Sequence, residues 1–379
     1  MSLLLLVPFM VWADEAFVGT APNGSLVIQP PDGHPVLLDG VDFGTLVARV
    51  ERLQRQVDSA TRSQVCAATV DTTTMTGWSG RSKWNGGVLA NNGKIYGIPQ
   101  EATSVLIIDP ATDTADAETM TGLTGEDKWV GGALAPSGKI YGIPFNSASV
   151  LIIDPVTNTT DTTSITGLDG ANKWYDGVLA GNGKIYGIPW SATSVLIIDP
   201  TTNTTDATTI ADLGFAGSSS TSCGAWASGV LADNGRVYAI PCNADSVLVI
   251  DPPTNTTANL MGLSGSGKWI GAVLAGNGKI YGIPLGSPSV LIVDPATNTA
   301  DTTTITGLVG TFKWIRGIVA GSGKIYGIPY YSESVLIIDP GTNTTDVTSV
   351  AGLDGRGKWG GALLARNGFV VVPAGLKQF

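Results

Sequence analysis

A heptapeptide, GKIYGIP, occurs verbatim five times in this chain of 379 residues, beginning at residues 93, 138, 183, 278 and 323. It belongs to a longer repeat in which every unit has a tryptophan at the same position. These tryptophans are 45, 45, 52, 43, 45 and 45 residues apart, at Trp84, Trp129, Trp174, Trp226, Trp269, Trp314 and Trp359. A unit of this length cannot bury its apolar face alone and must pack against its neighbours, so the repeat constrains the fold strongly.

Four strand signals can be recognised in each unit. The segments GGVLA and KIYGIP flank an Asn-Gly or Ser-Gly pair, which is typical of a two-residue hairpin turn. The segment SVLIID is a continuous apolar run, as expected for a strand buried on both faces, whereas TTDTTTI is β-branched but polar, as expected for an outer strand. Four strands in one unit fit a propeller blade. We predict an all-β fold, a seven-bladed β-propeller of four-stranded blades, over residues 64–379.

The last unit differs from the others. It contains GGALLA and GFVVVP but no further SVLIID segment. The segment ATVDTTTMTGW, at residues 68–78, matches the outer strand of the other units. We expect this N-terminal strand to close the last blade, because pairing the two chain ends removes open strand edges. The closed blade is expected to be three-stranded or irregular, unless residues 374–379 or 59–66 supply the missing strand.

The second and third strand segments, NGKIYGIP and SVLIIDPATNT, resemble the Kelch repeat. The resemblance extends over residues 65–379, in a variant that has Ile-Pro in place of the Gly-Gly pair of the family and lacks the tryptophan after Thr-Asn. It implies a propeller that is used mainly for binding.

The first residues predict secretion. Residues 1–13, MSLLLLVPFMVWA, contain an apolar stretch that ends in a small residue, as in a signal peptide. We therefore expect a secreted protein or one on the cell surface. No other apolar run approaches the ~18 residues of a membrane span.

The segment between the signal peptide and the repeats has two parts. Residues 14–43 predict a hairpin or loop, and residues 44–63 predict a short amphipathic or coiled-coil helix. The helix follows from the heptad-like spacing of Leu46, Val50, Leu53 and Val57. Two alternatives stay open: the helix pairs with a second copy and makes a homo-oligomer, or it packs on the propeller.

The charge of the chain argues against one class of partner. The formal net charge is -10, and Lys and Arg form no cluster along the sequence. Nucleic-acid binding requires a cationic stripe that neutralises phosphates, so we expect no nucleic-acid partner.

Two covalent modifications are predicted. Cys223 and Cys242 flank a hairpin around Asn234-Gly235 and are expected to form a disulfide, whereas Cys66 is either free or paired with another chain. Sequons for glycosylation are Asn23, Asn158, Asn203, Asn255 and Asn343.

The repeats differ from one another mainly in two loops. The turns between strands one and two and between strands three and four scarcely change, but the 2–3 and 4–1 loops do. Because successive strands alternate in direction, both variable loops lie on one face of the disc. Large side chains predicted to bind a ligand there are Phe145, Trp190, Leu285, Tyr330 and Tyr331. The alternative is neutral variation of surface loops.

A lysine precedes the tryptophan in six of the units. The six are Lys83, Lys128, Lys173, Lys268, Lys313 and Lys358. Their ammonium groups could form a ring that attracts an anion, such as a carboxylate or a sulfated glycan. Alternatively, each lysine lies along the neighbouring tryptophan with its ammonium group in water.

Few residues suit catalysis. The single histidine, His34, lies outside the repeats, and no Cys/His cluster has metal-ligand spacing, so we predict no metal, cofactor or catalytic residue. A glycosidase-type carboxylate pair could come from Glu101, Glu126, Asp127, Asp176 and Glu333, with Arg316 nearby.

We therefore expect a non-enzymatic binding protein for a glycan or a protein. The alternative is a structural extracellular component that assembles into oligomers or filaments. A glycan-acting enzyme is the third hypothesis.

Overall fold

The computed structural model describes residues 82–214, 223–357, 359–365 and 368–373, together with four short N-terminal strands. The N-terminal strands form two hairpins, in which β1 (Phe17–Thr20) pairs with β2 (Leu26–Gln29) and β3 (Leu37–Leu38) with β4 (Val41–Asp42). The described residues contain no helix long and apolar enough to cross a membrane.

Several sequence predictions lie outside the described residues. They concern the signal peptide at 1–13, the helix at 44–63, the closing strand at 68–78, and the residues Asn23, His34, Cys66 and Lys358.

Six antiparallel sheets of four strands make up the described repeats, and each sheet is one propeller blade. The innermost strands are β5 (Trp84–Leu89), β9 (Trp129–Leu134), β13 (Trp174–Leu179), β17 (Trp226–Leu231), β21 (Trp269–Leu274) and β25 (Trp314–Val319). The second strands are β6 (Ile95–Pro99), β10 (Ile140–Pro144), β14 (Ile185–Pro189), β18 (Val237–Pro241), β22 (Ile280–Pro284) and β26 (Ile325–Pro329).

The third and fourth strands complete each blade toward the rim. The third strands are β7 (Leu106–Asp109), β11 (Leu151–Asp154), β15 (Leu196–Asp199), β19 (Ser246–Asp251), β23 (Leu291–Asp294) and β27 (Leu336–Asp339). The fourth strands are β8 (Thr114–Asp116), β12 (Thr159–Asp161), β16 (Thr204–Asp206), β20 (Thr256–Met261), β24 (Thr299–Asp301) and β28 (Thr344–Asp346).

The seventh repeat contributes a two-stranded hairpin, β29 (Trp359–Ala365) paired with β30 (Gly368–Pro373). In the ring of innermost strands, β29 lies between β25 and β5. The prediction of seven four-stranded blades is therefore wrong, because the described residues form six. The seventh repeat has no SVLIID segment, which is the run that forms the third strand in the other blades.

The apolar core lies between adjacent blades. Between the first two blades, Val105 and Ile107 of one pack against Trp129 and Ile140 of the other. The indole nitrogen of Trp129 donates a hydrogen bond to the carbonyl oxygen of Ser149, at 2.6 Å, which fixes the ring in its own blade. The tryptophan of the repeat thus belongs to the packing between blades.

The tyrosine of KIYGIP joins its blade to the next one. Tyr141 on β10 donates a hydrogen bond to Asn203 Oδ1 in the following blade, at 2.8 Å. Equivalent pairs are Tyr186 with Asn255, Tyr238 with Asn298 and Tyr281 with Asn343. The same contact can serve each blade because the blades are equivalent around the ring.

Candidate functional site

Each innermost strand is irregular at its first residues. The register with the second strand shifts directly after the tryptophan in all six blades. A β-bulge takes a residue out of the ladder and redirects its side chain. The first residues after the tryptophans therefore lie on the side of the 2–3 and 4–1 loops, which we call the loop face. We call these residues the mouth residues; they are Asn85, Val130, Tyr175, Ala227, Ile270 and Ile315, of which Val130 and Ala227 are fully buried.

A central cavity of about 140 Å³ lies one residue deeper along these strands. Glycine and alanine form much of its wall, and its polar side chains are Asp176, Ser228 and Arg316. A Cβ on Gly131 would lie 2.8 Å from Asp176 Oδ1, and one on Gly86 would lie 3.4 Å from Arg316 Nη2. The missing Cβ atoms therefore leave room for the two charged side chains. Both glycines also have positive φ, which other residues rarely adopt.

Asp176 is held by three hydrogen bonds from its surroundings. Its Oδ1 accepts from the backbone N–H of Gly177, at 3.0 Å. Its Oδ2 accepts from Ser228 Oγ at 3.0 Å and from the backbone N–H of Gly229 at 3.3 Å. The carboxylate of the third blade is therefore fixed against the fourth blade.

Arg316 comes from the opposite part of the ring. Its Nη2 donates to Asn85 Oδ1 at 3.5 Å, and Asn85 Nδ2 donates to the hydroxyl oxygen of Tyr175 at 3.2 Å. Burial raises the pKa of Tyr175, and the nearby Arg316 opposes this rise. Side chains from the first, third and sixth blades thus form one hydrogen-bonded cluster at the mouth.

The large side chains predicted to bind a ligand are buried or half-buried rather than exposed. Phe145, Trp190 and Leu285 are only 7%, 5% and 3% exposed and belong to one apolar cluster. Tyr330 and Tyr331 are half-buried and stacked, with ring centroids 4.9 Å apart. The expectation that the first three project from the surface is therefore wrong.

The burial of Phe145 has a backbone cause. Its N–H donates to the carbonyl oxygen of Lys128 in its own blade, and its carbonyl accepts from the N–H of Lys173 in the next blade, both at 2.9 Å. The residue after Ile-Pro is thus the bridge between blades, and its side chain turns into the interblade packing.

The lysines that precede the tryptophans also join blades. Lys173 Nζ donates to the carbonyl oxygens of Phe145, Ser147 and Gly170, at 3.0, 3.0 and 2.7 Å. Lys128, Lys268 and Lys313 donate to loop carbonyls in the same way. For these four lysines the expectation of ammonium groups exposed to an anion is therefore wrong, because the groups are bound to protein carbonyls. Lys83 Nζ lies over the Trp84 ring, 5.7 Å from its centroid.

Burial lowers the pKa of these buried lysines. The pKa falls to about 8 for Lys173, Lys268 and Lys313, and it is also lowered for Lys128. Desolvation of the ammonium group is the largest cause in each case. At neutral pH the charged form still predominates and donates to the carbonyls.

The fourth blade departs from this lysine pattern. Ala225 takes the lysine position, and the Trp190 ring lies against Gly224 so closely that no Cβ would fit there. A disulfide joins Cys223 and Cys242, whose Cα atoms are 5.9 Å apart. The covalent bond lies where the missing lysine would otherwise fix the loop.

The other predicted carboxylates do not line the cavity with Asp176. Glu101, Glu126 and Glu333 are exposed, and Asp127 accepts a hydrogen bond from Gln100 Nε2 at 2.6 Å. The described residues contain no group of three or more side chains that could hold a metal ion.

The sequons lie on the other side of the disc, in the 3–4 turns. Asn158 and Asn343 are exposed, whereas Asn203 and Asn255 are half-buried. Glycosylation at these positions stays a prediction.

The sequence contains a signal for the polar cavity residues. Most units carry glycine two residues after the tryptophan, but three units read KWYDG, AWASG and KWIRG. These exceptions are Asp176, Ser228 and Arg316. The sequence prediction includes Asp176 only as a possible member of a carboxylate pair and Arg316 only as a residue near that pair, and it includes neither Ser228 nor Asn85.

No protein-family model and no curated protein matches this chain. The Kelch resemblance therefore stays a prediction. Solved structures do match. A streptogramin B lyase has a TM-score of 0.64 and 12% identity, over 78% of this chain and 91% of the lyase.

Two further structures extend this comparison. A catalytically inactive virginiamycin B lyase from Staphylococcus aureus, solved with quinupristin, has a TM-score of 0.62 and 8% identity, over 78% of this chain and 94% of that one. An extracellular domain from B. thetaiotaomicron, described as part of a one component system, has a TM-score of 0.56 and 13% identity, over 83% of this chain and 43% of that one. Identities this low show the shared propeller fold alone.

Proposed function

We propose that this chain is a glycan-binding β-propeller that acts outside the cell and takes up one sugar unit at the mouth of its central cavity. The single observation that supports this most is the asymmetric polar lining of the cavity, with Asp176, Ser228 and Arg316 in an otherwise glycine-rich wall. Neighbours in fold include an extracellular domain, which agrees with a location outside the cell.

The size and chemistry of the cavity favour a sugar. A volume of about 140 Å³ admits one small polar group rather than a folded domain. Hydroxyl, amide and guanidinium groups converge there and can exchange hydrogen bonds with sugar hydroxyls. Tyr175, Ile270 and Ile315 are half-buried at the mouth and supply apolar surface for the ring of the sugar.

A protein partner is supported less well by the same face. Stable protein interfaces bury about 800 Å² per partner around large apolar anchors. In the described part of the chain, Phe145, Trp190 and Leu285 are buried. The exposed large apolar residues are Val156, Met261 and Val309, which belong to different blades and form no central patch.

The experiment is a glycan array followed by calorimetry on the purified chain and two variants. Ile270→Glu places a charged side chain in the mouth. Val309→Glu adds the same side chain on the same face, at a position that is 87% exposed and away from the axis. We expect Ile270→Glu to lose binding at least tenfold and Val309→Glu to bind as the unchanged chain does, provided that both melt near its temperature.

Three other results would overturn the proposal. They are equal binding by both variants, absence of any glycan ligand, and turnover of a bound glycan, which would indicate an enzyme. Filaments or oligomers without a ligand would support the structural alternative.

A further inference from the structure

The two charged groups in the cavity differ in how far their hydrogen-bonding capacity is used. Asp176 accepts three hydrogen bonds from Gly177, Ser228 and Gly229. A carboxylate has about four lone-pair sites, so Asp176 is nearly saturated. Its role is to shape one wall of the cavity.

Most of the N–H donors of Arg316 make no hydrogen bond to the described residues. A guanidinium has five N–H donors, and one of them makes the 3.5 Å hydrogen bond to Asn85 Oδ1. Among the residues that the structure describes, no carboxylate lies within ion-pair distance of Arg316. The guanidinium is also half-buried, so its charge is partly removed from water without a direct ion pair.

We infer that the central cavity recognises a carboxylate on the bound sugar, that is, an acidic sugar unit, through Arg316. This inference rests on the proposed glycan-binding function. A carboxylate can accept two parallel hydrogen bonds from the planar guanidinium, and such charge-assisted pairs are stronger than neutral ones. Asn85, which contacts both Arg316 and Tyr175, positions the guanidinium at the mouth.

The surroundings of Arg316 select the kind of anion. Asp176 lines the same cavity and repels a second negative charge, so a singly charged carboxylate fits better than a phosphate that carries nearly two charges. Four of the lysines that precede the tryptophans do not compete for this anion, because their ammonium groups donate to carbonyl groups of the chain. They are Lys128, Lys173, Lys268 and Lys313.

The test uses three probes and isothermal titration calorimetry. The probes are oligogalacturonate, its fully methyl-esterified form, which is neutral, and a sulfated neutral oligosaccharide of similar length. The variants are Arg316→Gln, which removes the charge, and Arg316→Lys, which keeps the charge but not the planar fork. Arg356→Gln is the control, because Arg356 is exposed on the loop face and lies over the Tyr331 ring.

We expect the unchanged chain to bind the acid at least tenfold more tightly than the neutral ester. Arg316→Gln should lose this preference, and Arg316→Lys should keep only part of it, because lysine retains the charge but not the planar fork. Both variants should still bind the neutral probe weakly, while Arg356→Gln keeps the preference. Thermal melting shows that each variant is folded, and Arg316→Lys keeps the test valid if Arg316→Gln does not fold.

The outcomes separate the two proposals. Equal affinity for acid and ester, or an unchanged preference in both Arg316 variants, overturns the carboxylate inference and leaves glycan binding intact. A preference for the sulfated probe also overturns it. Tight binding of an acidic peptide with no binding of any sugar on the array overturns both proposals.

Discussion

At the residue scale, the chemistry of the site comes from three substitutions in one repeated position. The position two residues after the tryptophan is glycine in most units and is Asp176, Ser228 or Arg316 in the others. A small residue suits an innermost strand, where the blades approach one another, so a charged residue there must face open space. The central cavity supplies this space.

The predicted lysine ring and aromatic ligand-binding residues show that burial by contacts between blades could not be predicted from the sequence. Their positions on the loop face follow from the repeat, but their burial depends on contacts between blades. Lys173 finds three carbonyl oxygens from two blades, and Phe145 is held through its backbone on both sides. Such partners are distant in the chain, so local sequence cannot reveal them.

The buried lysines that precede the tryptophans predict that the stability of the fold depends on pH. In the folded chain the pKa of Lys173 is about 8, below its ordinary value of 10.5, so from about pH 8 to about pH 10 the unfolded chain binds more protons. The free energy of unfolding should therefore rise with pH across this window. Lys173→Met should reduce this rise in the free energy of unfolding by the contribution of one lysine. Urea unfolding at several pH values measures the difference.

The matched control for this prediction is Lys184→Met, because the Lys184 side chain is 41% exposed and its Nζ lies 3.7 Å from Asp199 Oδ2. It should keep the slope of the unchanged chain. An identical slope in Lys173→Met and the unchanged chain would contradict the account of the lysines.

At the element scale, a turn after the fourth strand recurs with an aspartate at its start. Asp161 Oδ1 accepts from the backbone N–H groups of Thr163 and Ser164, at 2.7 and 3.0 Å, and its Oδ2 accepts from the Ser164 hydroxyl. These hydrogen bonds lower the pKa of Asp161 to about 2, and the one from the Ser164 hydroxyl has the largest effect. The same arrangement lowers the pKa of Asp301 to about 2.

These caps predict a loss of stability in acid. A carboxyl whose pKa is lower in the folded chain stabilises it above pH 4, and this contribution is lost as the pH falls from about 4 to about 2. Asp161→Asn should therefore lower the melting temperature at pH 7 and have a smaller effect at pH 2.5. Scanning calorimetry at both pH values measures the difference.

Asp113→Asn is a suitable control, because Asp113 has a φ of 53° in a turn where five other repeats carry asparagine. It should melt as the unchanged chain does. If Asp161→Asn lowered the melting temperature equally at both pH values, the charge of the cap would play no part in stability.

At the scale of the whole molecule, the blades were predictable from sequence and their number was not. The period of the repeat, the hairpin turn and the buried SVLIID strand together predict four-stranded blades around an axis. The seventh repeat breaks the rule, since only the β29–β30 hairpin is described there. Ring closure is a global property, and no single repeat contains the information for it.

The hairpin predicts how the ring is held closed. β29 lies between the innermost strands of the sixth and first blades, so its removal would expose the sides of β25 and β5. A chain that ends at Gly357 should melt well below the full chain and be cleaved faster by protease. Removal of 374–379 alone is the control and should have little effect. Equal melting of the two truncated chains would show that the hairpin does not close the ring.

The central claim is that a sugar carboxylate is bound at Arg316 inside the ring. The most direct measurement is a crystal structure of the chain soaked with an acidic oligosaccharide. We predict a carboxylate in the central cavity, with oxygen atoms about 2.7–2.9 Å from the Arg316 guanidinium. A sugar bound on the face of the 3–4 turns or at the rim, with the cavity empty at saturating concentration, would contradict the claim.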